Sequence, residues 1–244
     1  MLGTTIVTGG SGMLGTELKN HLPDASFWEG RKFIDLSYPE IQDVLYLIKP
    51  VDTIIHCAAY TDLNFCDRYP IQSNYLHNES VQWLQNKCKK LIYISTNPTN
   101  SKRVYYKTKQ QGELTTLKRK GDLVIRTNIY GDGGLAKWAI NNLKSQQKIN
   151  GYSNVIFNPV SVKQLSSFLK FESYKFSGIV NIGSSSIVSK YDFIKILALK
   201  YNFDLDLISP FVIKGDTNLT VPLEKQRFVC NLMDGIDTLN MNYE

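Results

Sequence analysis

Thr96, Tyr105 and Lys109 are the residues of this chain whose types and spacing could do proton chemistry. The interval Tyr105-x-x-x-Lys109 puts a phenol and an amine on one helix face, one turn apart. A free tyrosine titrates near pKa ~10 and shuttles protons poorly at neutral pH. A nearby ammonium, helped by a positive nicotinamide, favours the phenolate and lowers that value. Such a tyrosine can protonate a carbonyl oxygen as hydride reaches its carbon, or remove the proton in reverse. Thr96 would donate a hydrogen bond to the same oxygen, and Lys109 could hold nicotinamide ribose hydroxyls. In the competing reading Tyr105 edges the core and Lys109 is solvated. The chain is rich in both residue types, and Tyr106-x-x-x-Gln110 shows how easily the register misleads. Placement favours chemistry, because the pair follows Ser95-Thr96 at a strand end and lies well after a glycine-rich turn.

That turn, Thr8-Gly9-Gly10-Ser11-Gly12-Met13-Leu14-Gly15, sits between the apolar run Thr4–Val7 and a helix pattern with Leu14, Leu18 and Leu22 on one face. Gly10, Gly12 and Gly15 satisfy G-x-G-x-x-G, and Thr8, Gly9, Gly12 and Gly15 satisfy T-G-x-x-G-x-x-G. Strand, glycines and helix start together form a phosphate seat. Glycine lets the backbone turn sharply and the diphosphate approach, while free N–H groups face the anion. The expected dinucleotide contacts are Gly9, Ser11, Gly12, Met13, Leu14 and Gly15.

The remaining elements extend this frame. Asp24–Trp28 reads as a second strand ending at Glu29-Gly30-Arg31-Lys32, beside the adenosine ribose in such folds. Arg31 and Lys32 could hold a 2′-phosphate, which predicts NADP(H), with NAD(H) as the alternative. A solvated Arg-Lys loop competes with this reading, and Glu29 leaves room for it. Ser37 or Tyr38 is expected to start a helix burying Ile41, Val44, Leu45 and Ile48, stopped at Lys49-Pro50. Val51–Cys57 reads as a strand buried on both faces. Its small-residue end, Cys57-Ala58-Ala59, lets a dinucleotide lie across the backbone. A long helix is expected from about Pro70 to Lys90, then a strand over Leu91–Ile94, a helix from Tyr105 through Leu117 and a strand over Leu123–Thr127. Beyond Gly133 come a helix over Leu135–Ser145, a short strand and turn over Asn154–Val162, a helix over Lys163–Phe171 and a late strand, Gly178–Gly183. Ser189 caps a helix over Tyr191–Tyr201 with Phe193, Ile196, Leu197 and Leu199 apolar.

Alternating strands and helices imply an α/β fold, a Rossmann-like doubly wound parallel sheet with a small C-terminal substrate-binding lobe. The dinucleotide-binding domain is expected over 1–132, its sheet completed by parts of 154–183, and the lobe mainly over 133–244. A chain of 244 residues with 43% apolar content suits that size. The net charge of +6 is scattered, which favours small anionic ligands over nucleic acid. Cys57, Cys66, Cys88 and Cys230 show no C-x-x-C spacing and suit reduced thiols in a cytoplasmic setting. His56 and His77 lack ligand-spaced partners and read as structural, so no metal is expected. Met1 leads straight into the first strand, so neither signal peptide nor membrane span is expected. A homodimer is one assembly open to such a protein.

These stretches resemble the extended short-chain dehydrogenases, and within them the dTDP-4-dehydrorhamnose reductase family. The resemblance rests on Thr8–Gly15, Asp52–Thr61, Ser95-Thr96, Val104–Glu113, Arg126–Gly131 and Asn158–Val162, and weakens after about Ile187. It implies Thr96, Tyr105 and Lys109 as the catalytic residues and Ser95, Tyr105 and Lys109 as further cofactor contacts. It also implies Thr61, Thr96 and Asn128 as substrate contacts, and NADPH-dependent reduction of the C4 ketone of a nucleotide-linked 4-keto-6-deoxy sugar for surface glycans. Arg31 with Asp35-Leu36 is similar to the NADP-binding turn of GDP-L-fucose synthase, a relative. The chain departs from the family at Asn97-Pro98-Thr99-Asn100, where Asp-Tyr-Val-Phe is usual, and its loop before Tyr105 is shorter. A more open pocket, or one for another sugar, would follow. The same scaffold serves nucleotide-sugar epimerases and dehydratases, although Asn97-Pro98 supplies no carboxylate pair. It also serves non-catalytic NADP-binding regulatory proteins.

Overall fold

The computed structural model describes residues 2–30, 34–223 and 229–239. The chain divides into two compact units. One comprises the described residues up to Arg126 together with Ser166–Val180, and the other Thr127–Leu165 with the described residues from Asn181 on.

In the first unit the elements run in chain order as β1 (Thr5–Thr8), α1 (Met13–His21), β2 (Ser26–Trp28), α2 (Ile41–Tyr46), β3 (Val51–His56), α3 (Leu63–Arg68) and α4 (Pro70–Asn74). A π-helical turn over Tyr75–Glu79 leads into α5 (Ser80–Gln85), followed by β4 (Cys88–Ser95), α6 (Val104–Leu117) and β5 (Leu123–Thr127). β1 pairs in parallel with β2 on one side and β3 on the other, Ile6 lying against Ser26 and Ile54. β4 and β5 extend the parallel ladder beyond β3. A late strand, Gly178–Ile182, stands beside β5 and completes six. Val7, Ile54, Ile55, Leu91, Ile92, Val124 and Ile125 have essentially no exposure. These central strands are apolar runs without alternation because helices cover both sheet faces. Strand order reverses between β1 and β3, so a crevice opens at their carboxyl ends, where Thr8-Gly9 and His56-Cys57 emerge.

The helix expected over Pro70–Lys90 is not continuous. It widens into the π turn, ends at Gln85 and gives way to β4 already at Cys88. The widened turn frees carbonyls for side-chain donors. Ser80 Oγ and His56 Nε2 reach Leu76 O at 2.7 and 3.2 Å, and the Tyr93 hydroxyl donates to His77 O at 2.8 Å. The second helix also begins later than the sequence suggests. Ser37 is fully buried, bonded to Asp35 and to the Tyr60 hydroxyl, and α2 starts at Ile41. Of its expected apolar face Ile41 and Leu45 are buried, but Val44 is 46% exposed.

The second unit contains β6 (Ile129–Tyr130), α7 (Gly134–Lys144), β7 (Ile149–Tyr152), β8 (Ile156–Phe157) and β9 (Val160–Ser161). α8 (Val162–Phe171) and β10, the late strand already described, each run across the division between the units. β11 (Val188–Ser189), α9 (Lys190–Lys200), β12 (Ile208–Phe211) and α10 (Leu232–Asp237) follow. Tyr130, Phe157, Phe193, Leu197, Leu232 and Ile236 form one core there. Ser189 caps α9 by accepting the Asp192 N–H at 2.9 Å, as its sequence predicts, whereas Leu199 is 61% exposed. The tail over 213–221 has asparagines for partners. The Asn154 amide bonds both N–H and C=O of Ile213, and Asn158 does the same for Val221. Two side-chain amides thus satisfy backbone that joins no long strand.

Candidate active site

The glycine turn packs tightly against the end of β3 and the start of α1. Gly9 has φ +71°, and a Cβ on it would lie 2.8 Å from the Ala58 nitrogen. A Cβ on Gly15 would lie 2.3 Å from Gly9 O, so α1 can start this near the turn only with glycine there. Gly12 N–H closes the turn on Gly9 O at 2.9 Å, and no side chain caps α1. First-turn amides of Met13 and Leu14 have no acceptor within a helix, and α1 starts directly after the turn that follows β1. This cradle fits a dinucleotide diphosphate. The β1 and β3 ends are pinned to each other: His56 Nδ1 accepts from the Thr8 hydroxyl at 2.7 Å, and Ala58 N–H donates to Thr8 Oγ1 at 3.3 Å. Burial holds His56 neutral, its pKa drawn down to about 3. His56 is therefore a structural tie, as the sequence suggests.

Thr96, Tyr105 and Lys109 come together. Thr96 follows β4; its hydroxyl donates to Asn97 Oδ1 at 3.0 Å, and it lies near enough to the Tyr105 phenol to favour the ionised form. Tyr105 opens α6, half-buried, with its ring edge-on to His77 at 5.8 Å between centroids. The N-terminus of α6 is fixed by Asp67, whose carboxylate accepts the Val104 N–H at 3.0 Å and pairs with Arg103 at 2.5 Å. Lys109, one turn on, is 2% exposed and donates to Ile94 O at 2.7 Å. Its Nζ lies 4.0 Å from the centre of the Tyr93 ring. Asn97 is buried, and its Nδ2 has no partner among the described residues.

The electrostatics depart from the sequence expectation in one respect. The phenol of Tyr105 is not depressed: burial pushes it up to about 12, against the opposing influence of Thr96. The amine of Lys109 is instead the displaced partner, drawn down by burial to about 7, with Glu113 opposing. One N–H of the Lys109 amine goes to Ile94 O and its Nζ stands over the Tyr93 ring, and Lys109 is not among the groups that shift the phenol.

Other expected contacts divide. Ser95 donates its hydroxyl to Glu113 at 2.6 Å. Leu36 is core, and Asp35 accepts the Ser37 N–H at 3.0 Å. Cys57, Ala58 and Ala59 are half-buried where β3 ends, and Thr61 is exposed. Asn128 belongs to the second unit, where its amide donates to Leu219 O at 2.6 Å and is thereby engaged. Arg31 and Lys32, the proposed 2′-phosphate partners, lie outside the described residues.

Sequence reading missed three supports of this site. Glu113 is buried and takes a bidentate ion pair from Arg126, the closest approach being 2.6 Å. His77 accepts the Tyr60 N–H on Nε2 and donates from Nδ1 to Thr108 Oγ1 at 2.8 Å, which locks the π turn to α6. Tyr93 underlies Lys109. The available signals were an arginine inside the apolar run Leu-Val-Ile-Arg-Thr and a tyrosine inside Leu-Ile-Tyr-Ile. Gly112 also matters: a Cβ on it would lie 2.0 Å from His77 O, so the missing side chain lets α6 approach the π turn.

A parallel sheet with a strand-order reversal, a glycine cradle at that point and a Thr-Tyr-Lys cluster beside it define an extended short-chain dehydrogenase architecture. Residues 3–215 match the family model described as the RmlD substrate binding domain, and the chain belongs to that family. No curated protein matches it. Among solved structures it is similar to the dTDP-4-dehydrorhamnose reductase of Bacillus anthracis in complex with NADP, at 20% identity and TM-score 0.85, covering 99% of this chain and 100% of the other. The dTDP-4-dehydrorhamnose reductase ortholog of Clostridium acetobutylicum gives 19% identity and TM-score 0.83 over 96% of both chains. DesIV, the dTDP-glucose 4,6-dehydratase of Streptomyces venezuelae with NAD bound, gives 15% identity and TM-score 0.78 over 96% of this chain and 94% of its own.

Proposed function

We propose that this protein is an NADP(H)-dependent reductase of a nucleotide-linked 4-keto-6-deoxy sugar, acting in deoxysugar synthesis in the cytoplasm. The observation that carries the reading is the Thr96–Tyr105 pair, with Lys109 buried one turn on and a tight glycine turn at the carboxyl end of β1. The B. anthracis relative, whose structure holds NADP, supports the cofactor class.

When bound, the nicotinamide supplies the hydride. Gly9, Ser11, Gly12, Met13, Leu14 and Gly15 would hold the diphosphate, and Cys57, Ala58 and Ala59 would let the dinucleotide cross the end of β3. With its pKa at about 12, the Tyr105 phenol keeps its proton at neutral pH, which is the form a reduction needs. It gives that proton to the sugar O4 as the C4–H bond forms, and Thr96 donates a second hydrogen bond to the same oxygen. Lys109 in its ammonium form offers donors to ribose hydroxyls. Asn97-Pro98 after Thr96 supplies no carboxylate to abstract a sugar proton, which sets the dehydratase reading second.

The test is NADPH consumption, followed at its absorbance, with a panel of 4-keto-6-deoxy sugar nucleotides, NADH run alongside. Turnover with NADPH that drops by about 10²-fold or more in Tyr105→Phe supports the reading. Full turnover in that variant, or cofactor binding with no sugar reduced, replaces it with the non-catalytic binding alternative.

A further inference from the structure

We propose that Tyr93 is a positioning residue: the face of its ring seats the Lys109 ammonium and keeps it charged inside the protein. The kinetic consequence, though not the seat itself, rests on the reductase reading above.

Tyr93 lies in the middle of β4 with no solvent exposure. Its ring is fixed at three points. The hydroxyl donates to His77 O at 2.8 Å, the His56 ring tilts against it at 5.7 Å, and Gly112 of α6 leaves room for the phenol oxygen. The Lys109 Nζ sits 4.0 Å from the ring centre, well inside the range where a desolvated cation gains from an aromatic face. The single hydrogen bond described for that amine goes to Ile94 O, the next residue along the same strand. The seat is thus two consecutive residues of β4, one offering a ring face and the other a carbonyl.

Among the charged and titratable groups around Lys109, Glu113 also favours the ammonium, and the ring face adds to it. Glu113, from the same helix, acts through space, but its oxygens are taken by Arg126 and Ser95. Cys57, just after β3, and Cys66 from α3 are thiols that burial pushes up, so they stay neutral. His56 from β3 and His77 from the π turn are held neutral by burial. Tyr105, one turn back, keeps its proton. Burial draws Lys109 down to about 7, so near neutral pH a small change in its surroundings changes how much of it is charged. The ring face therefore bears on a group whose ammonium form offers donors to ribose hydroxyls.

The experiment uses the full chain with ¹³Cε-labelled lysine, the Lys109 signal being assigned by its loss in Lys109→Arg. The titration midpoint of Lys109 is read by NMR in wild type, Tyr93→Phe and Tyr93→pentafluorophenylalanine. Phenylalanine keeps the ring face and loses only the hydroxyl anchor, so its midpoint stays within roughly 0.3 pH unit of wild type. Fluorination removes the negative face at nearly constant shape, and the midpoint falls by about one pH unit. Tyr93→3,5-difluorophenylalanine, a milder change that guards against misfolding, falls between. In substrate assays the high-pH decline of kcat/KM moves down by the same amount. Equal midpoints for the phenylalanine and fluorinated variants overturn the proposal, because they leave the ring only a packing role. The NMR reading needs no turnover, so a protein that reduces no sugar can still show the seat, and the two ideas fail separately.

Discussion

Gly112→Ala should lower stability, although alanine is the better helix former. Gly112 lies within α6, where exchanging glycine for alanine normally gains about 0.8–1 kcal/mol. Here the added Cβ would lie 2.0 Å from His77 O, 2.5 Å from the Tyr93 hydroxyl oxygen and 2.8 Å from Tyr93 Cζ. None of these atoms is the far end of a flexible chain: one is backbone in the π turn, and the others belong to a ring with no exposure. Overpacking of this kind costs about 1–3 kcal/mol. Parting Tyr93 from His77 O would forfeit a further ~1 kcal/mol of hydrogen bonding. The sum exceeds the propensity gain and leaves a net loss of about 1–3 kcal/mol. For a chain of this size that is a Tm lower by roughly 3–10 °C. Thermal unfolding followed by circular dichroism measures it. Adding Tyr93→Phe removes the hydroxyl contact but not the carbonyl one, so it should recover part of the loss. An unchanged or raised Tm in Gly112→Ala would refute the close packing of α6 on the π turn.

Further outcomes follow from the same geometry. Gly15→Ala drives a methyl onto Gly9 O and should weaken NADPH binding by about tenfold or more, read by fluorescence titration; unaltered affinity would mean the turn does not hold the diphosphate. His56 and His77 are both held neutral in the native state, His56 down to about 3, whereas unfolded histidines take up a proton near ~6.5. Their stabilisation is complete above ~6.5 and is lost as pH falls towards the native values, His56 giving up about 2 kcal/mol by pH ~5 and His77 adding to the loss in the same direction. Urea midpoints should therefore fall steadily between pH ~6.5 and ~5, and a flat profile would contradict the burial of these two rings.

Local pattern carried the parts of the fold that depend on local pattern. The glycines after β1, the apolar runs of β3 to β5 and the serine cap of α9 each follow from a few neighbouring residues, and each is found where its residues put it. The Tyr-x-x-x-Lys spacing likewise needs only a helix, and α6 supplies it. What escaped was set by partners far away in the chain. The π turn depends on donors from His56 and Tyr93, and no periodicity within 70–90 announces them. Val44 fits a buried helix face by spacing, yet α2 is short and turns that residue outward. A lowered Tyr105 pKa follows from the sequence only if the Lys109 ammonium, with a positive nicotinamide, acts on the phenol, whereas Lys109 points its amine at β4. Ser95 and Asn128 lie at strand ends as a ligand contact should, but their side chains are engaged by Glu113 and Leu219. Spacing fixes which face a residue is on; it does not fix which partner claims its polar atoms.

The central claim is that a nicotinamide lies beside the Tyr105 hydroxyl while its diphosphate rests on the amides of the first glycine turn. A crystal structure of the full chain with NADPH tests it most directly. The account predicts diphosphate oxygens within hydrogen-bond distance of the Met13 and Leu14 amides, and the nicotinamide ring against Tyr105 and Thr96. Density for the cofactor elsewhere, or a Tyr105 hydroxyl turned away from it, would contradict the account.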